Sequence, residues 1–259
     1  MFRMPVRLYM TREPDTVRED ATLEEVAGLL ERRRISAMPV VDDDHCPVGV
    51  ISRRDLLRVG ELSVPEGRAV PEWTLPDETA RDVMSRQLVV VAPSTSIAEA
   101  ASHLLDNHIH RLFVEVEREL RGVLTTRDVM KAIVDARLEA PISRFMSKPL
   151  QTIATFEPLQ VARRQLEELK VRGLVVAEEG IPVGLFTEED ALAARHQSAD
   201  VSVERVMGHA FLVLRPETPT HQAAARMASM HVRRIVVMAD GELQGILTGF
   251  DLAGAAAVS

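Results

Sequence analysis

The stretch GVISRRD, residues 49–55, decides the fold because the chain repeats its pattern three more times. Each copy contains a glycine, two apolar residues, a serine or threonine, two variable residues and an aspartate. The other copies are GVLTTRD (residues 122–128), GLFTEED (residues 184–190) and GILTGFD (residues 245–251). Successive motif aspartates lie 73, 62 and 61 residues apart. A period of about 60 residues is too long for a helical solenoid and suits a small α/β unit.

The sequence around each motif predicts one order of elements. Each unit opens near a methionine, and a short apolar run follows, clearest at residues 88–91 and 211–214. The start of a helix comes next. In two repeats the residues fit a capping box. In a third, a capping residue is followed by a proline at the first helical position, and the fourth shows only a weaker helix-start signal. These starts are TLEE (residues 22–25), SIAE (96–99), TP (218–219) and EP (157–158). The opening methionines are Met10, Met84, Met146 and Met207.

The rest of each unit is a strand, a polar turn, a second strand that ends in the motif, and a last helix. The unit therefore reads strand–helix–strand–strand–helix, and the fold class is α/β (α+β). A unit of about 55 residues is marginal as an independent domain, so we expect pairs of units that bury their sheets against one another. The predicted bounds are repeat one 1–60, a linker 61–78, repeat two 79–139, repeat three 140–199 and repeat four 200–259, with repeats one and two forming one module and three and four another. The linker is polar and contains Pro65, Pro71, Pro76 and the only tryptophan, Trp73.

Composition limits the class of protein. Hydrophobic residues make up 46% and charged residues 27%, which favours a soluble globular chain over a disordered one. The net charge of −8 argues against a nucleic-acid partner. One cysteine, Cys46, cannot form an internal disulfide, and no apolar run approaches the roughly 18 residues that span a bilayer. We therefore expect a cytoplasmic protein without a membrane partner.

The Ser/Thr-x-x-Asp part of the motif allows two interpretations. A carboxylate has two acceptor oxygens, which suits it to bind the vicinal hydroxyls of a ribose. The same spacing at a helix start resembles a capping box, and an acid in the first turn is favoured by the helix dipole. Recurrence in four repeats is compatible with either interpretation, so the residues alone leave both open.

The order of elements, the opening methionine and the four motifs resemble tandem cystathionine β-synthase (CBS) domains. Two such repeats form a Bateman module, and four in one chain are similar to the gamma subunit of AMP-activated protein kinase. The resemblance covers nearly the whole chain. Members of the family bind AMP, ADP, ATP, S-adenosylmethionine or no known ligand, so the resemblance is more specific for the fold than for the ligand.

The resemblance implies three sets of site residues, for the ribose, the base and the phosphates of a nucleotide. The ribose set is Ser52, Asp55, Thr125, Asp128, Thr187, Asp190, Thr248 and Asp251. The base set is Val50, Val123, Ile35, Ile109 and Ile246. The phosphate set is Ser36, Arg54, His110, Arg111, Arg127, Arg172, Arg233 and Arg234. The alternative interpretation of these arginines is solvated surface.

The family arrangement would complete each site with residues from the partner repeat of its module. His110 and Arg111 would serve Asp55, Ile35 and Ser36 would serve Asp128, Arg233 and Arg234 would serve Asp190, and Arg172 would serve Asp251. Arginine suits phosphate because its guanidinium group offers a bidentate fork.

The charge of the residues before each motif aspartate indicates which sites should bind phosphate best. Arg54 and Arg127 sit unfavourably in the first turn of a helix, which suggests another task such as phosphate binding. Glu188 and Glu189 would repel phosphate at the third site. We therefore expect the first module to bind nucleotide better than the second, and the Asp190 site is doubtful.

No catalytic or metal-binding pattern is present in the sequence. His103, His108 and His110 cluster at the end of one predicted helix, without the spacing or partners of a metal site. There is no P-loop and no Gly-x-Ser-x-Gly elbow.

We therefore expect a non-enzymatic regulatory sensor that binds AMP, ADP or ATP between paired repeats and signals to an unidentified protein partner. It would require no cofactor, although Mg²⁺ could accompany the phosphates, and a homodimer is open. The alternatives are a ligand-free interaction scaffold and an S-adenosylmethionine-binding module.

Overall fold

A computed structural model describes residues 1–64, 72–117 and 119–259. The helices are α1 Leu23–Arg32, α2 Arg53–Val59, α3 Ala80–Val83, α4 Ile97–Asp106, α5 Thr126–Ala136, α6 Leu159–Glu168, α7 Glu188–Ala193, α8 Thr220–Ser229 and α9 Gly249–Val258. The strands are β1 Thr11–Arg12, β2 Val17–Arg18, β3 Ala37–Val41, β4 Pro47–Ser52, β5 Glu61–Ser63, β6 Glu72–Thr74, β7 Val90–Val91, β8 Arg111–Val116, β9 Glu119–Thr125, β10 Thr152–Ala154, β11 Gly173–Glu178, β12 Ile181–Thr187, β13 Leu212–Leu214, β14 Arg234–Ala239 and β15 Glu242–Thr248.

Every repeat builds the same small sheet. Its first strand pairs in parallel with its second, and its second pairs antiparallel with its third. The sheets are β2-β3-β4, β7-β8-β9, β10-β11-β12 and β13-β14-β15, with β1 added beside β9. The predicted order strand–helix–strand–strand–helix is confirmed in all four repeats.

The predicted helix starts are mostly confirmed, with two corrections. The capping box at Thr22 forms, whereas at Ser96 the described part of the chain contains only the half in which Ser96 accepts from the amide of Glu99. The prediction that Pro219 is the first helical residue is wrong, because α8 begins at Thr220. The amide of Thr220 donates to the carbonyl of Ala140 at 2.9 Å, so a tertiary contact replaces the expected local cap.

The chain divides into two compact units. Unit 1 consists of Met1–Pro14, Leu88–Leu150 and Phe211–Ser259, and unit 2 consists of Asp15–Gln87 and Gln151–Ala210. Unit 1 therefore holds the sheets of the second and fourth repeats, and unit 2 holds those of the first and third. The predicted modules group the repeats differently, one with two and three with four, and they stay a prediction.

Helices form the core of each unit. In unit 1, α9 packs against α4 and α5, and α8 also packs against α5. The buried face of α9 is Leu252, Ala253, Ala255 and Ala256, all with no exposed surface. Small side chains let neighbouring helix backbones approach closely, which explains why this helix is rich in alanine. In unit 2, α7 packs against α1 and α2.

The predicted linker, residues 61–78, includes ordered structure in unit 2. Strands β5 and β6 pair antiparallel. Trp73 is only 5% exposed, and the guanidinium of Arg163 lies 5.0 Å from the centre of a Trp73 ring. Pro65 and Pro71 lie outside the described residues. Among the residues that the structure does describe, we find no helix with the length and apolar character needed to cross a membrane.

The opening segment of each repeat lies on the sheet of another repeat. Thr11, from the first opening segment, pairs with Val123 of repeat two, and Ser85, from the second, pairs with Val50 of repeat one. The third and fourth segments show the same exchange, as Ser147 pairs with Ile246 and Gly208 with Leu185. The exchange is reciprocal between repeats one and two and between three and four.

This exchange explains the glycine that begins each motif. A Cβ atom built on Gly49, Gly122, Gly184 or Gly245 would lie 2.7–3.0 Å from a backbone carbonyl oxygen of the crossing segment. The sulfur of the opening methionine also packs against the same glycine. Backbone cannot move aside as a flexible side chain can, so the close approach requires glycine.

Substitution of a motif glycine should destabilise the fold. We expect Gly122→Ala to lower the free energy of unfolding by about 1–3 kcal/mol, because the new methyl group forces packed backbone apart. Gly254→Ala is the matched control: a Cβ there meets nothing within 4 Å, and alanine is favoured by up to about 1 kcal/mol inside a helix. Urea denaturation followed by circular dichroism measures both. Unchanged stability of Gly122→Ala would contradict this account of the motif glycine.

Candidate functional site

The Ser/Thr-x-x-Asp motifs form the starts of α2, α5, α7 and α9. In each, one aspartate oxygen, Oδ2, accepts a hydrogen bond from the backbone amide of the motif serine or threonine, at 2.7–2.9 Å. The same oxygen accepts from that residue's hydroxyl at 2.6–2.8 Å. The capping-box interpretation is therefore confirmed for Asp55, Asp128, Asp190 and Asp251.

The cap uses one carboxylate oxygen, and the surroundings of the second oxygen distinguish the sites. Oδ1 of Asp55 lies 3.7 Å from the guanidinium of Arg58, an exposed side chain. Oδ1 of Asp128 accepts from the ammonium of Lys131 at 2.9 Å. Oδ1 of Asp251 accepts from the hydroxyl of Ser147 at 2.5 Å. At these three aspartates Oδ1 thus lies outside the cap, which uses only Oδ2.

Asp251 lies beside a cavity in unit 1. The cavity has a volume of about 450 Å³, and its lining includes Arg144, Phe145, Ser147 and Phe250. Burial raises the pKa of Asp251, while the hydrogen bonds from Ser147 and Thr248 oppose that shift. The ring of His110 lies 5.1 Å from that of Phe250, so a predicted phosphate residue of repeat two stands beside the motif of repeat four.

In unit 2, the motifs of repeats one and three face each other with opposite charges. The guanidinium of Arg53, which is 3% exposed, lies 2.8 Å from the carboxylate of Glu189. The guanidinium of Arg54 lies 3.8 Å from the carboxylate of Glu188. The two variable residues of the motif therefore form ion pairs between these repeats.

Arg172 joins this cluster. Burial lowers the pKa of Arg172, the charge of Glu188 raises it, Arg54 lowers it and Asp55 raises it. The four groups therefore lie close enough to interact electrostatically. Arg172 was expected to serve the Asp251 site, and its proximity to Asp55 and Arg54 is a relation that alignment of the repeats does not predict.

The remaining predicted residues occupy equivalent places in their repeats. Val50, Val123 and Ile246 follow the motif glycine on β4, β9 and β15. Ile35 and Ile109 follow α1 and α4 and are half-buried. Ser36, Arg111, Arg233 and Arg234 stand at or just before the middle strand, and Arg127 lies in the first turn of α5. The sets that combine residues of units 1 and 2, such as Asp55 with His110 and Arg111, stay predictions.

Sequence reasoning missed Arg53, Arg144 and Ser147. The opposite charges of residues 53–54 and 188–189 were a usable signal for Arg53, since the two pairs occupy the same motif positions. Arg144 and Ser147 flank an opening methionine but act beside the motif of another repeat, which no local pattern indicates. Among the described residues, no group of three or more His, Cys, Asp or Glu side chains is placed to hold a metal ion.

The burial of Asp251 predicts how the stability of the fold depends on pH. Its pKa is higher in the folded protein than in the unfolded chain, so the folded protein binds more protons there. The stability of the wild type relative to Asp251→Asn should therefore decrease as the pH rises above about 4, the ordinary range for this group. Urea denaturation at a series of pH values measures the difference.

Asp82 provides the control with the opposite sign. It caps α3, and the hydrogen bond from Thr79 holds its pKa below the ordinary value. The wild type should be more stable than Asp82→Asn above about pH 4. This difference in stability should decrease as the pH falls further. Parallel slopes for the two variants would contradict the assignment of a buried, raised pKa to Asp251.

Comparison with known proteins identifies the repeats. The family model described as "CBS domain" matches residues 6–61, 80–135, 142–197 and 203–257. The chain is 27% identical over 197 residues to an uncharacterized 33.4 kDa protein in a ribosomal RNA operon of Thermofilum pendens, covering 71% of this chain and 62% of the relative. It is 24% identical over 176 residues to the uncharacterized protein MJ1225 of Methanocaldococcus jannaschii, covering 68% of this chain and 55% of the relative. The matched regions thus span about 55–62% of these curated relatives.

Solved structures share the fold. The crystal structure of MJ1225, which is proposed to be an archaeal homologue of g-AMPK, superposes with a TM-score of 0.83 at 17% identity, over 97% of this chain and 99% of that one. An uncharacterized conserved protein from Pyrococcus horikoshii superposes with a TM-score of 0.68 at 22% identity, over 98% of this chain and 100% of that one. At these identities the likeness shows the fold, and the ligand has to be argued from the residues.

Proposed function

Because this chain belongs to the CBS-domain family, with four repeats that match the family model, we propose that it is a non-enzymatic regulatory sensor of adenine nucleotides. CBS-domain proteins are commonly regulatory nucleotide sensors. The ligand would be AMP, ADP or ATP, with Mg²⁺ as a companion of the polyphosphates, and the bound state would be passed to a protein partner.

One observation carries the proposal: Arg54 and Arg172 both lie beside Glu188, and Arg172 is in electrostatic reach of Asp55. The Asp55 site thus combines groups that suit the ribose and the phosphate of a nucleotide. A carboxylate oxygen outside the cap can accept from the ribose, Ser52 lies beside it, and two guanidinium groups can meet phosphate. The start of α2 adds a favourable dipole for an anion.

The other motifs are less prepared for a phosphate. The second oxygen of Asp128 is bound by Lys131, although that ammonium is 59% exposed and its pair contributes little. Asp251 is buried and bonded to Ser147. Asp190 follows two glutamates. We therefore rank Asp55 first, followed by Asp128, and keep both ahead of the second pair.

The alternative function is a ligand-free interaction scaffold. Its supporting observation is the capping box at every motif aspartate, which gives each a structural reason to be there. An S-adenosylmethionine module is a further alternative, because its adenosine would use the same ribose and base contacts. Titration against AMP, ADP, ATP and S-adenosylmethionine separates these ligands.

Loss of the ribose acceptor should weaken binding without loss of the fold. A hydrogen bond to a charged group contributes roughly 1.5–3 kcal/mol, so Asp55→Ala should reduce nucleotide affinity about ten- to a hundredfold. Asp82→Ala is the matched control, because Asp82 forms the same capping box outside the motifs. Isothermal titration calorimetry measures both. If both variants bind a nucleotide as the wild type does, Asp55 is a capping residue only.

Ligand binding should also raise the melting temperature of the full chain. A ligand that binds only the folded state adds about 2.7 kcal/mol of stability at a hundredfold excess over Kd. Each kcal/mol corresponds to about 2–4 °C for a domain of 150–250 residues. We therefore expect a rise of several degrees in saturating AMP, ADP or ATP, smaller in Asp55→Ala than in Asp190→Ala. The absence of any shift would favour the scaffold.

The full chain is required for this measurement. Each compact unit combines segments from both halves of the sequence, since unit 1 joins residues 1–14 to 88–150 and 211–259. A fragment that ends between the second and third repeats would therefore leave both units incomplete. Point substitutions at single motifs compare the sites without that problem.

A further inference from the structure

A buried carboxylate lies beside the two basic groups that we propose for phosphate binding. Glu188 is the first residue of α7, and only 8% of its surface is exposed. Its carboxylate lies 3.8 Å from the guanidinium of Arg54. Its amide donates to the backbone carbonyl of Arg172 at 3.4 Å, so the residue is fixed beside both basic groups.

Each basic group of this cluster already faces a carboxylate. Arg54 and Arg172 carry two positive charges beside the two negative charges of Asp55 and Glu188, and the exposed Arg58 also lies 3.7 Å from Asp55. The neighbouring Arg53 is likewise paired with Glu189. A phosphate monoester brings a further charge of about −1.5 to −2 at neutral pH. It would compete with Glu188 for the same guanidinium groups and would be repelled by it.

We infer that Glu188 is an internal counterion of the Asp55 site, which a nucleotide phosphate must displace in order to bind. Glu188 is therefore a specificity-determining residue: it reduces the advantage that phosphate gives AMP over adenosine. The inference rests on the proposed function, because it requires the ribose of the ligand at Asp55.

The counterion is specific to one place in the chain. The first helical residue after the motif serine or threonine is Arg53, Thr126, Glu188 or Gly249 in the four repeats. In unit 1 the corresponding contact joins two uncharged residues, since a Cβ built on Gly249 would lie 2.8 Å from the hydroxyl of Thr126. Repeat three thus carries an anion at this position, whereas repeat one carries a cation and the two repeats of unit 1 carry uncharged residues.

Displacement of Glu188 is compatible with the observed geometry. The Arg54–Glu188 separation is longer than a hydrogen-bonded ion pair, and the Arg54 side chain is 40% exposed. Glu188 also has Arg172 beside it, so its buried carboxylate keeps a basic neighbour when Arg54 turns to a phosphate. A phosphate can therefore take over Arg54 at a modest cost, which makes Glu188 a competitor that the ligand can overcome.

The test compares Glu188→Gln with Glu189→Gln in the full chain. Glutamine keeps the shape and removes one negative charge. Calorimetric titration with AMP should show roughly tenfold tighter binding for Glu188→Gln, because like charges a few ångströms apart interact strongly even at an effective dielectric constant of about 20. Affinity for adenosine should stay within about twofold. Glu189→Gln, which affects the pair with Arg53, should leave the AMP-to-adenosine ratio as in the wild type.

A second pair of variants assigns the effect to the Asp55 site. The double variant Asp55→Ala/Glu188→Gln should bind AMP about ten- to a hundredfold more weakly than Glu188→Gln, because it lacks the ribose contact. Glu188→Thr, which introduces the residue that repeat two has at this position, repeats the comparison if glutamine impairs folding as judged by circular dichroism.

The outcomes separate the two proposals. Suppose that Glu188→Gln and Glu188→Thr fold, bind both ligands at Asp55 and have the same ratio of AMP affinity to adenosine affinity as the wild type. That result overturns the role of Glu188 as a counterion and does not contradict the proposed sensor. Equal affinity for AMP in Glu188→Gln and in the double variant also overturns that role, because the gain then arises at another site. Failure of the wild type and both variants to bind adenosine or AMP overturns the proposed function and the counterion together.

Discussion

The backbone amides at the start of a helix need acceptors, and in every repeat a motif aspartate supplies one oxygen for that purpose. The cap holds the turn between the last strand and the last helix. Because the cap consumes only Oδ2, it also fixes the position of Oδ1 at the helix start. The structural requirement and the proposed ribose contact are therefore two uses of one carboxylate, and a single local interaction prepares the site before any ligand arrives.

The variable residues of the motif decide what surrounds that carboxylate. In unit 2 they are two arginines opposite two glutamates, and the resulting ion pairs join repeats one and three. In unit 1 they are Thr126 and Arg127 in repeat two and Gly249 and Phe250 in repeat four, with Gly249 against Thr126 and Phe250 against His110. The same backbone frame thus presents different charges at different motifs. A sensor built this way can give its sites different preferences without any change of fold.

The exchange of opening segments gives the sites a physical connection along the chain. Ser147 follows the methionine that opens repeat three, yet its hydroxyl binds the motif aspartate of repeat four. The close approach at each motif glycine fixes such segments against the sheet that they cross. A ligand that changes the hydrogen bonds of Asp251 would act directly on this crossing segment. That is the kind of differential contact through which binding at one place biases another part of a protein.

Much of the fold could be predicted because its determinants are local. Three predicted features depend on residues a few positions apart, and they are confirmed. They are the motif spacing, the alternation of strand and helix, and the caps at Ser52, Thr125, Thr187 and Thr248. The ribose, base and phosphate sets came from the family resemblance, and all three stay predictions.

What the sequence could not provide depends on surfaces that meet only after folding. Several features join residues that lie far apart in the chain. They are the grouping of repeats one with three and two with four, the burial of Trp73, the position of Arg172 beside Asp55 and the hydrogen bond from Ser147 to Asp251. The expected start of α8 at Pro219 was wrong for the same reason. The carbonyl of Ala140 accepts the hydrogen bond from the Thr220 amide that a local cap would have accepted. The sequence by itself determined the repeated unit and its caps, because hydrogen bonds between residues three apart form wherever the helix forms. Only the tertiary structure decided which charges face each motif aspartate, because that depends on how separate helices pack.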